Sequence, residues 1–294
     1  MVAPAETGAA QEVNVDMTAA GNKVQDHYAI EGIAARILAA LRAAGGSEAG
    51  PITPDALAPL DHFHGRGLKA TKEMVALLEP LSGERILDIG GGIGGPARWT
   101  ATHFGCHVTS LDLTLEFCRA AEELNAATGL SDRVRVVEGS ATDLPFEDDG
   151  FDRAYSENVA MNIDDKRRFY AEALRVLRPG AVFAFSHYGA GPKGEPDYPL
   201  PWAAGPGTSF LCSPEETREQ VLTAGFEIVI FRDKTEEVLS DLRENRRRLE
   251  EHGLPPLGLQ TLMGERIGEF QVNAARSADE GRLSVLEALV RKPA

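Results

Sequence analysis

Residues 85–98 read RILDIGGGIGGPAR, and this stretch decides the fold. It begins with a short apolar run that carries a single acid, Asp88, next to its end. Five glycines occupy the six positions 90–95, where a glycine allows positive φ and lets a ligand approach the backbone closely. Pro96 follows, and proline suits the first turn of a helix because the N–H that it lacks has no intrahelical partner there. The stretch therefore predicts a strand, a tight turn and the start of a helix.

The glycines alone leave the ligand open. Gly90, Gly92 and Gly95 also fit the G-x-G-x-x-G spacing of dinucleotide-binding folds, in which a pyrophosphate lies at the helix N-terminus. Asp88 argues against that ligand, because its carboxylate precedes the same turn and would repel a pyrophosphate. A cationic ligand group is favoured instead. A turn that only packs a helix against a strand is the remaining alternative.

The composition favours an enzyme that acts on small molecules. The chain has 294 residues and 43% hydrophobic residues, enough for a full core with additions. Its 45 acidic and 30 basic side chains give a formal charge of −15, which disfavours nonspecific binding to nucleic acid or to an anionic membrane. The three cysteines follow no metal or disulfide spacing. We find no secretory segment and no apolar run of about 18 residues, so we expect a cytoplasmic protein without a membrane span.

The order of strand and helix patterns along the chain predicts an α/β fold. Apolar runs of strand type alternate with amphipathic helices, which indicates a mostly parallel sheet with helices on both faces and a site at its C-terminal edge. Predicted strands cover residues 85–89, 107–112, 134–138, 151–156, 181–186, 226–231 and 282–292. We divide the chain into a mobile tail (1–22), an N-terminal helical cap (23–80), the core (81–234) with a proline-rich lid (188–212), a helical insertion that serves as lid or dimer contact (235–281), and the last strand (282–294).

These motifs together resemble the class I S-adenosylmethionine (SAM)-dependent methyltransferases. The spacing D-x-G-x-G-x-G at 88–94 matches the first motif of that family, an acid ends the second strand, and LRPG follows at 177–180. The resemblance implies a Rossmann-like sheet of seven strands, with the seventh antiparallel between the fifth and the sixth. It also implies SAM as cofactor and S-adenosylhomocysteine as product.

A narrower similarity rests on three further stretches, LDHFHGRG at 60–67, NVAMNIDDK at 158–166 and PLPWA at 199–203. They look like the small-molecule branch described as sarcosine or dimethylglycine N-methyltransferase-like and UbiE-like. This branch implies a small-molecule methyl acceptor.

The cofactor residues follow partly from spacing and partly from the resemblance. Asp112 lies twenty residues after Gly92, at the tip of the second strand, where an acid accepts hydrogen bonds from both ribose hydroxyls. The resemblance places the methionine part of SAM beside Asp88 and the turn glycines, and it adds residues near the adenosine. The predicted cofactor-binding residues are Asp88, Gly90, Gly92, Gly94, Asp112, Leu113, Ser140, Ala141 and Glu157. Ser140 departs from the family, which commonly has Asp or Asn there, so the Ala141 backbone and Leu113 are expected to take over the contact with adenine.

The catalytic residues are predicted from position, because methyl transfer needs alignment more than a fixed set of side chains. His187 and Tyr188 directly follow the fifth predicted strand, and His187 is the candidate base because an ordinary histidine pKa is near 6.5. The alternative for His187 is a hydrogen bond to the lid. Asn158 follows the fourth strand and is expected to orient the acceptor.

Four residues are predicted to contact the acceptor, and each has a structural alternative. Asn162 follows the fourth strand, but capping of a helix that begins near residue 164 is slightly favoured. His64, like its neighbour His62, lies before the first core helix and is equally consistent with a loop histidine. Tyr28 and Trp202 are aromatic residues of the cap and the lid, whose rings are expected to close over a cationic group.

We therefore predict a SAM-dependent methyltransferase that acts on the N, O or C atom of a small acceptor. An NAD(P)-dependent oxidoreductase and a SAM-binding protein without activity are the alternatives. We predict no metal, since two histidines in H-x-H spacing without a partner acid motif are poor evidence for one. A homodimer is compatible with the helical insertion.

Overall fold

The strand and helix predicted around the glycine turn form the centre of a seven-stranded sheet. The computed structural model describes residues 32–44, 52–62, 66–253, 257–258 and 267–294. The tail at 1–22, Tyr28 and His64 therefore lie outside the described residues. The strands are β1 (Arg85–Ile89), β2 (His107–Asp112), β3 (Val134–Glu138), β4 (Phe151–Glu157), β5 (Leu177–Ala190), β6 (Glu227–Asp233) and β7 (Leu283–Arg291).

The described helices alternate with these strands and flank the sheet. They are α1 (Ile33–Ala43), α2 (Pro54–Asp61), α3 (Leu68–Leu78), α4 (Gly95–Phe104), α5 (Leu115–Ala127), α6 (Lys166–Val176), α7 (Pro214–Thr223), α8 (Thr235–His252) and α9 (Ile267–Asp279). Local sequence explains several of their starts. Ser213 and Glu216 form a capping box around Pro214 at α7, and Thr53 caps α2 just before Pro54.

The strand order is β3-β2-β1-β4-β5-β7-β6, and only β7 runs antiparallel to its neighbours. The predicted fold class is confirmed, including the seventh strand between the fifth and the sixth. Chain order reverses between β1 and β4, so the loops after these two strands separate and leave a crevice at their carboxyl ends. The glycine turn after β1 opens directly into this crevice.

The hydrophobic core lies on both faces of the sheet. On one face Leu87, Phe183 and Phe185 pack against Phe169 and Tyr170 of α6. On the other face, Ile86, Val108 and Ala184 pack against Met74 and Leu78 of α3 and against α4. Each strand therefore contributes alternate side chains to two apolar layers, as its two-residue period requires.

The N-terminal helices cover one end of this core. Ile33 and Ile37 of α1 and Leu57 of α2 form a buried cluster with Phe117 and Leu124 of α5. At Gly95, the first residue of α4, a Cβ would lie 2.2 Å from the backbone oxygen of Asp61. This glycine therefore allows the end of α2 to approach the start of α4.

The lid and the insertion helices pack on each other. Trp202 and Leu200 of the lid form a buried cluster with Leu239 of α8 and with Ala274 and Ala278 of α9. The insertion helices thus bury apolar side chains within the chain itself, while a role as dimer contact stays a prediction.

Two local predictions are wrong. Asn162 does not cap the helix after β4, because Asp165 does: its carboxylate accepts the N–H of Arg168. The fifth predicted strand, at 181–186, is too short: β5 begins at Leu177, so it includes LRPG, and its register against β4 shifts between Phe151 and Arg153.

Candidate active site

A cavity of about 350 Å³ lies in the crevice between β1 and β4. Its walls come from the glycine turn, from the ends of β2, β3 and β4, and from the start of α6. Predicted site residues in its lining are Asp88, Gly90, Gly92, Asp112, Leu113, Ser140, Ala141, Glu157, Asn158 and Asn162. Residues far apart in the sequence therefore meet here, because the carboxyl ends of parallel strands share one edge.

The turn after β1 is shaped for close approach. Gly90 has a φ of 79°, and a Cβ there would lie 2.2 Å from a methyl carbon of Val159. The loop after β4 therefore packs directly on the glycine backbone. Gly94, predicted as a ligand contact, lies outside this lining and is the N-cap of α4 with a φ of 78°.

Asp112 is held rigidly by the backbone. One carboxylate oxygen accepts the N–H of Gly92 at 2.8 Å, and the other accepts the N–H of Thr114 at 2.8 Å. A carboxylate has about four lone-pair positions, so these two backbone bonds do not exhaust its capacity to accept hydrogen bonds. Burial raises the pKa of Asp112 while these backbone bonds oppose the rise.

Asp88 lies beneath the turn, fully buried. Burial raises its pKa well above the usual range, the Tyr155 hydroxyl opposes this, and the carboxylates of Glu157 and Asp112 add to it. A cationic ligand in the cavity would relieve this repulsion between carboxylates, whereas an anionic ligand would increase it.

Glu157, at the end of β4, has a raised pKa that suits proton transfer. Burial raises its pKa to about 8, and a hydrogen bond from the Thr71 hydroxyl (3.1 Å) limits the rise. A carboxyl that titrates near neutral pH is matched to general acid–base work.

The two asparagines occupy the cavity wall near the lid. Asn158 adopts a φ of 57°, which is uncommon for a residue other than glycine, and its N–H donates to Ser186 at 2.7 Å. The Asn162 amide donates to the carbonyl oxygens of Trp202 and Thr208 at 2.8 and 2.9 Å. Asn162 therefore fixes the lid over the cavity edge.

The structure does not bring His187 into this cavity. His187 lies on the face of β5 that carries Phe185, stacks on that ring at 5.5 Å and is 2% exposed. Burial and the nearby Lys166 lower its pKa to about 3. Among the described residues, neither ring nitrogen has a hydrogen-bond partner.

Tyr188 and Trp202 also lie outside the cavity lining. Their rings stack at 4.8 Å, and the Trp202 indole N–H donates to the Ser209 hydroxyl at 3.0 Å. Trp202 is 1% exposed, so it packs the lid against the insertion helices.

Sequence reasoning missed the groups behind the cavity wall. Thr71 contacts Glu157, Asp61 lines the cavity, and a fully buried Arg98 holds Asp61. The available signal in the sequence was Arg98 itself, an arginine in the first turn of the helix that follows the glycine turn. If that turn is buried, its arginine needs an acidic partner, because unpaired buried charges are rare.

Within the described residues no group of three or more His, Cys, Asp or Glu side chains is arranged to hold a metal ion. None of the described helices is both long and apolar enough to cross a membrane.

A single-domain α/β sheet with an antiparallel strand β7 between β5 and β6, and an acidic cavity at its β1/β4 crevice, defines the Rossmann-like methyltransferase fold class. Residues 87–185 match the family model described as a methyltransferase domain. The part of the chain that runs from β1 into β5 is therefore similar to a methyltransferase domain.

Similar proteins agree with this assignment. The glycine/sarcosine/dimethylglycine N-methyltransferase of Actinopolyspora halophila is 33% identical over 152 residues, which are 52% of this chain and 27% of that protein. The sarcosine/dimethylglycine N-methyltransferase of Halorhodospira halochloris is 30% identical over 169 residues, 56% of this chain and 59% of that protein. The chain thus spans less than two thirds of these relatives.

A solved structure matches over nearly the whole chain. Geranyl diphosphate C-methyltransferase from Streptomyces coelicolor A3(2), in complex with Mg²⁺, geranyl diphosphate and S-adenosylhomocysteine, has a TM-score of 0.67 at 15% identity and covers 94% of this chain and 99% of its own. At this identity the similarity concerns the fold.

Proposed function

We propose that this chain is a SAM-dependent methyltransferase that transfers a methyl group to an N, O or C atom of a small molecule. One observation carries the proposal: the described residues that line the cavity include six acidic side chains and no lysine, arginine or histidine. The acids are Asp61, Asp88, Asp112, Glu157, Asp164 and Asp165. This lining suits a ligand with an ammonium and a sulfonium group and opposes a pyrophosphate.

The strand order supports the same choice. Dinucleotide-binding folds have the order 3-2-1-4-5-6, whereas this sheet places an antiparallel β7 between β5 and β6. The oxidoreductase alternative is therefore disfavoured both by topology and by the charge of the cavity.

The roles of the cofactor residues follow from their places in the cavity. Asp112 would hold the ribose hydroxyls with the lone pairs that Gly92 and Thr114 leave, and Asp88 would face the ammonium end. Leu113, Ser140 and Ala141 line the other side and would surround the adenine. The Ser140 hydroxyl already forms a hydrogen bond with the Thr142 hydroxyl at 2.8 Å, so we expect it to contribute little to binding of the adenine amine.

SAM, when bound, supplies a methyl carbon on a sulfonium, and a lone pair of the acceptor displaces S-adenosylhomocysteine from it in line. The chain aligns the two reactants and excludes water, which is worth about 7–11 kcal/mol of the barrier. Asn158 and Asn162 are the polar groups placed to orient the acceptor, and the lid that Asn162 fixes limits solvent access.

We propose Glu157 in place of His187 as the group that takes a proton from the acceptor. Glu157 lines the cavity and titrates near neutral pH, whereas His187 lies outside the lining and is a weak base. Tyr188 and Trp202 would act on the acceptor only through the shape of the lid.

The test is an incubation of the purified chain with SAM and single acceptors, with S-adenosylhomocysteine measured by mass spectrometry. The acceptor set contains sarcosine, dimethylglycine, phosphoethanolamine, a phenol and a prenyl diphosphate. We expect product well above the acceptor-free rate with at least one class, and loss of that rate in Asp112→Ala. If the protein binds S-adenosylhomocysteine but methylates none of these acceptors, the result supports the alternative of a SAM-binding protein without methyltransferase activity.

A further inference from the structure

A row of buried side chains connects Glu157 with Asp61, two acids that both line the cavity. The Thr71 hydroxyl donates to Oε2 of Glu157 at 3.1 Å, and the same hydroxyl lies 3.0 Å from Nδ1 of His62. On the other side of the ring, Nε2 of His62 lies 3.6 Å from Oδ1 of Asp61. Thr71, His62 and Asp61 are at most 3% exposed, so this row is screened from bulk water.

A buried cation, Arg98, holds the end of the row at Asp61. The Arg98 guanidinium donates to Oδ2 of Asp61 at 2.9 Å, and also to Oδ1 of Asn125 at 2.9 Å and the carbonyl of Ile93 at 2.7 Å. A charge-assisted bond of this kind fixes the carboxylate of Asp61. Its second oxygen consequently faces the imidazole ring of His62.

We propose that Thr71 and His62 relay a proton from Glu157 to a site beside Asp61. The inference rests on the proposed function, in which Glu157 receives a proton from the acceptor. The geometry requires two short hops through one hydroxyl, and each hop spans a contact of about 3 Å that is already present.

The protons balance as follows. The acceptor's N–H or O–H bond breaks and its proton binds Glu157. The O–H bond formed at Oε2 of Glu157 then breaks as its proton passes to the oxygen of Thr71, while Thr71 gives its own hydroxyl proton to Nδ1 of His62. His62 starts as the tautomer protonated at Nε2 and ends as an imidazolium beside the Asp61 carboxylate. Glu157 is again a carboxylate, and no oxidant or reductant is involved.

The surroundings of Glu157 explain why such an exit is useful. Its pKa is raised to about 8 by burial, so a proton that it accepts remains there at neutral pH. Arg66 lowers that pKa and Glu73 and Glu287 raise it, all as charges on neighbouring elements. Transfer to His62 moves the proton to a site beside Asp61 and returns Glu157 to the carboxylate. Because Asp61 lines the cavity, the Nε2 proton then passes through its carboxylate to water that enters as the product leaves, and His62 is neutral again for the next acceptor.

The competing interpretation is that the row only braces α2 and α3 against β4. A brace and a relay differ in one property: in a relay, the protonation of His62 depends on Glu157 through the Thr71 hydroxyl. At a separation of two hydrogen bonds, ionisation of Glu157 should change the pKa of His62 by about one unit.

The experiment is an NMR titration of the full chain with S-adenosylhomocysteine bound, with ¹⁵N-labelled histidine and ¹³C-labelled glutamate. We expect Glu157→Gln to shift the midpoint of His62 by about one pH unit. In a Thr71→Val background, which keeps the side-chain shape without the hydroxyl, Glu157→Gln should shift it by less than half as much. Thr71→Ser should restore the full effect.

Once an acceptor is known, Thr71→Val should lower kcat about tenfold with KM for SAM unchanged; this is less than the roughly 100-fold or larger loss expected when acid–base catalysis is removed, because Glu157 itself is still present. Thr71→Ser should recover the rate. An unchanged His62 midpoint in Glu157→Gln, or equal coupling in Thr71→Val, overturns the relay. If Thr71→Val fails to fold, Thr71→Ala provides the same comparison.

The relay and the proposed function fail in different ways. Calorimetry on the same samples reports binding of S-adenosylhomocysteine, which the Thr71 variants should leave within about twofold of wild type, since Thr71 lies outside the cavity lining. Absence of binding in the wild type contradicts the proposed function, whereas binding with uncoupled titrations contradicts the relay alone.

Discussion

Replacement of Asp112 by alanine removes the most rigidly held carboxylate of the cavity. Both of its oxygens are fixed by backbone N–H groups, at 2.8 Å from Gly92 and 2.8 Å from Thr114, so it is oriented before any ligand arrives. We expect the ribose of SAM to gain at least one charge-assisted hydrogen bond from it. Such a bond is worth about 1.5–3 kcal/mol, which corresponds to about a 10- to 150-fold loss of affinity.

The assay is isothermal titration calorimetry with S-adenosylhomocysteine. Asp112→Ala also leaves the N–H of Gly92 without its acceptor, so the glycine turn is expected to loosen and the loss should fall in the upper part of this range. Asp132→Ala removes the same charge from an exposed position outside the cavity lining and serves as the matched control. The reasoning is refuted if Asp112→Ala binds within twofold of wild type, or if Asp132→Ala weakens binding equally.

Three further predictions follow from buried groups. The pKa of Glu157 is about 8 in the folded protein against a usual 4.5, so between pH 5 and pH 8 the folded state keeps a proton that the unfolded state has lost, and rising pH lowers the unfolding free energy by up to about 1.4 kcal/mol per pH unit. In ligand-free Glu157→Gln this fall should be smaller than in the wild type. Urea denaturation of both proteins at pH 5 and pH 8 checks this, and an equal fall in the two proteins contradicts it. Arg98→Met should cost about 3–5 kcal/mol in the same assay because the buried Asp61 loses its guanidinium partner, and a loss below 1 kcal/mol would show that the pair is weakly coupled. His187→Phe should change the unfolding free energy by less than about 1 kcal/mol and leave the affinity for S-adenosylhomocysteine unchanged. The reason is that the ring stacks on Phe185 and no described group forms a hydrogen bond with its nitrogens. A large drop in turnover at unchanged affinity would instead support His187 as a catalytic residue.

The central strand, turn and helix were predictable because their causes are local. Gly90 and Gly92 adopt positive φ, and Pro96 stands in the first turn of α4. Strand and helix periods are likewise local, so the sheet and its crossovers followed from the sequence. The place of Asp112 followed as well, because the tip of β2 always faces the switch point.

The parts that sequence reasoning missed depend on distant contacts. The position of His187 after the predicted strand at 181–186 indicated proximity to the acceptor. In the structure β5 continues to Ala190, so His187 lies within the strand, and the alternation along the strand places it on the face that meets α6. Asn162 precedes a helix as a cap would, yet Asp165 captures the helix start and frees Asn162 for the lid.

The row behind Glu157 shows the same limit more clearly. Thr71 and Glu157 are 86 residues apart, and Arg98 and Asp61 are 37 apart. Neither pair follows a sequence spacing with a known geometry. Only the packing of α3 against β4 and of α2 against α4 brings these side chains together.

The measurement that tests the central claim most directly is a pair of calorimetric titrations of the purified chain, one with S-adenosylhomocysteine and one with NAD. We predict micromolar affinity for S-adenosylhomocysteine and no detectable binding of NAD, because the described lining of the cavity has six acidic side chains and no cationic side chain to receive a pyrophosphate. Binding of NAD without binding of S-adenosylhomocysteine would contradict the account.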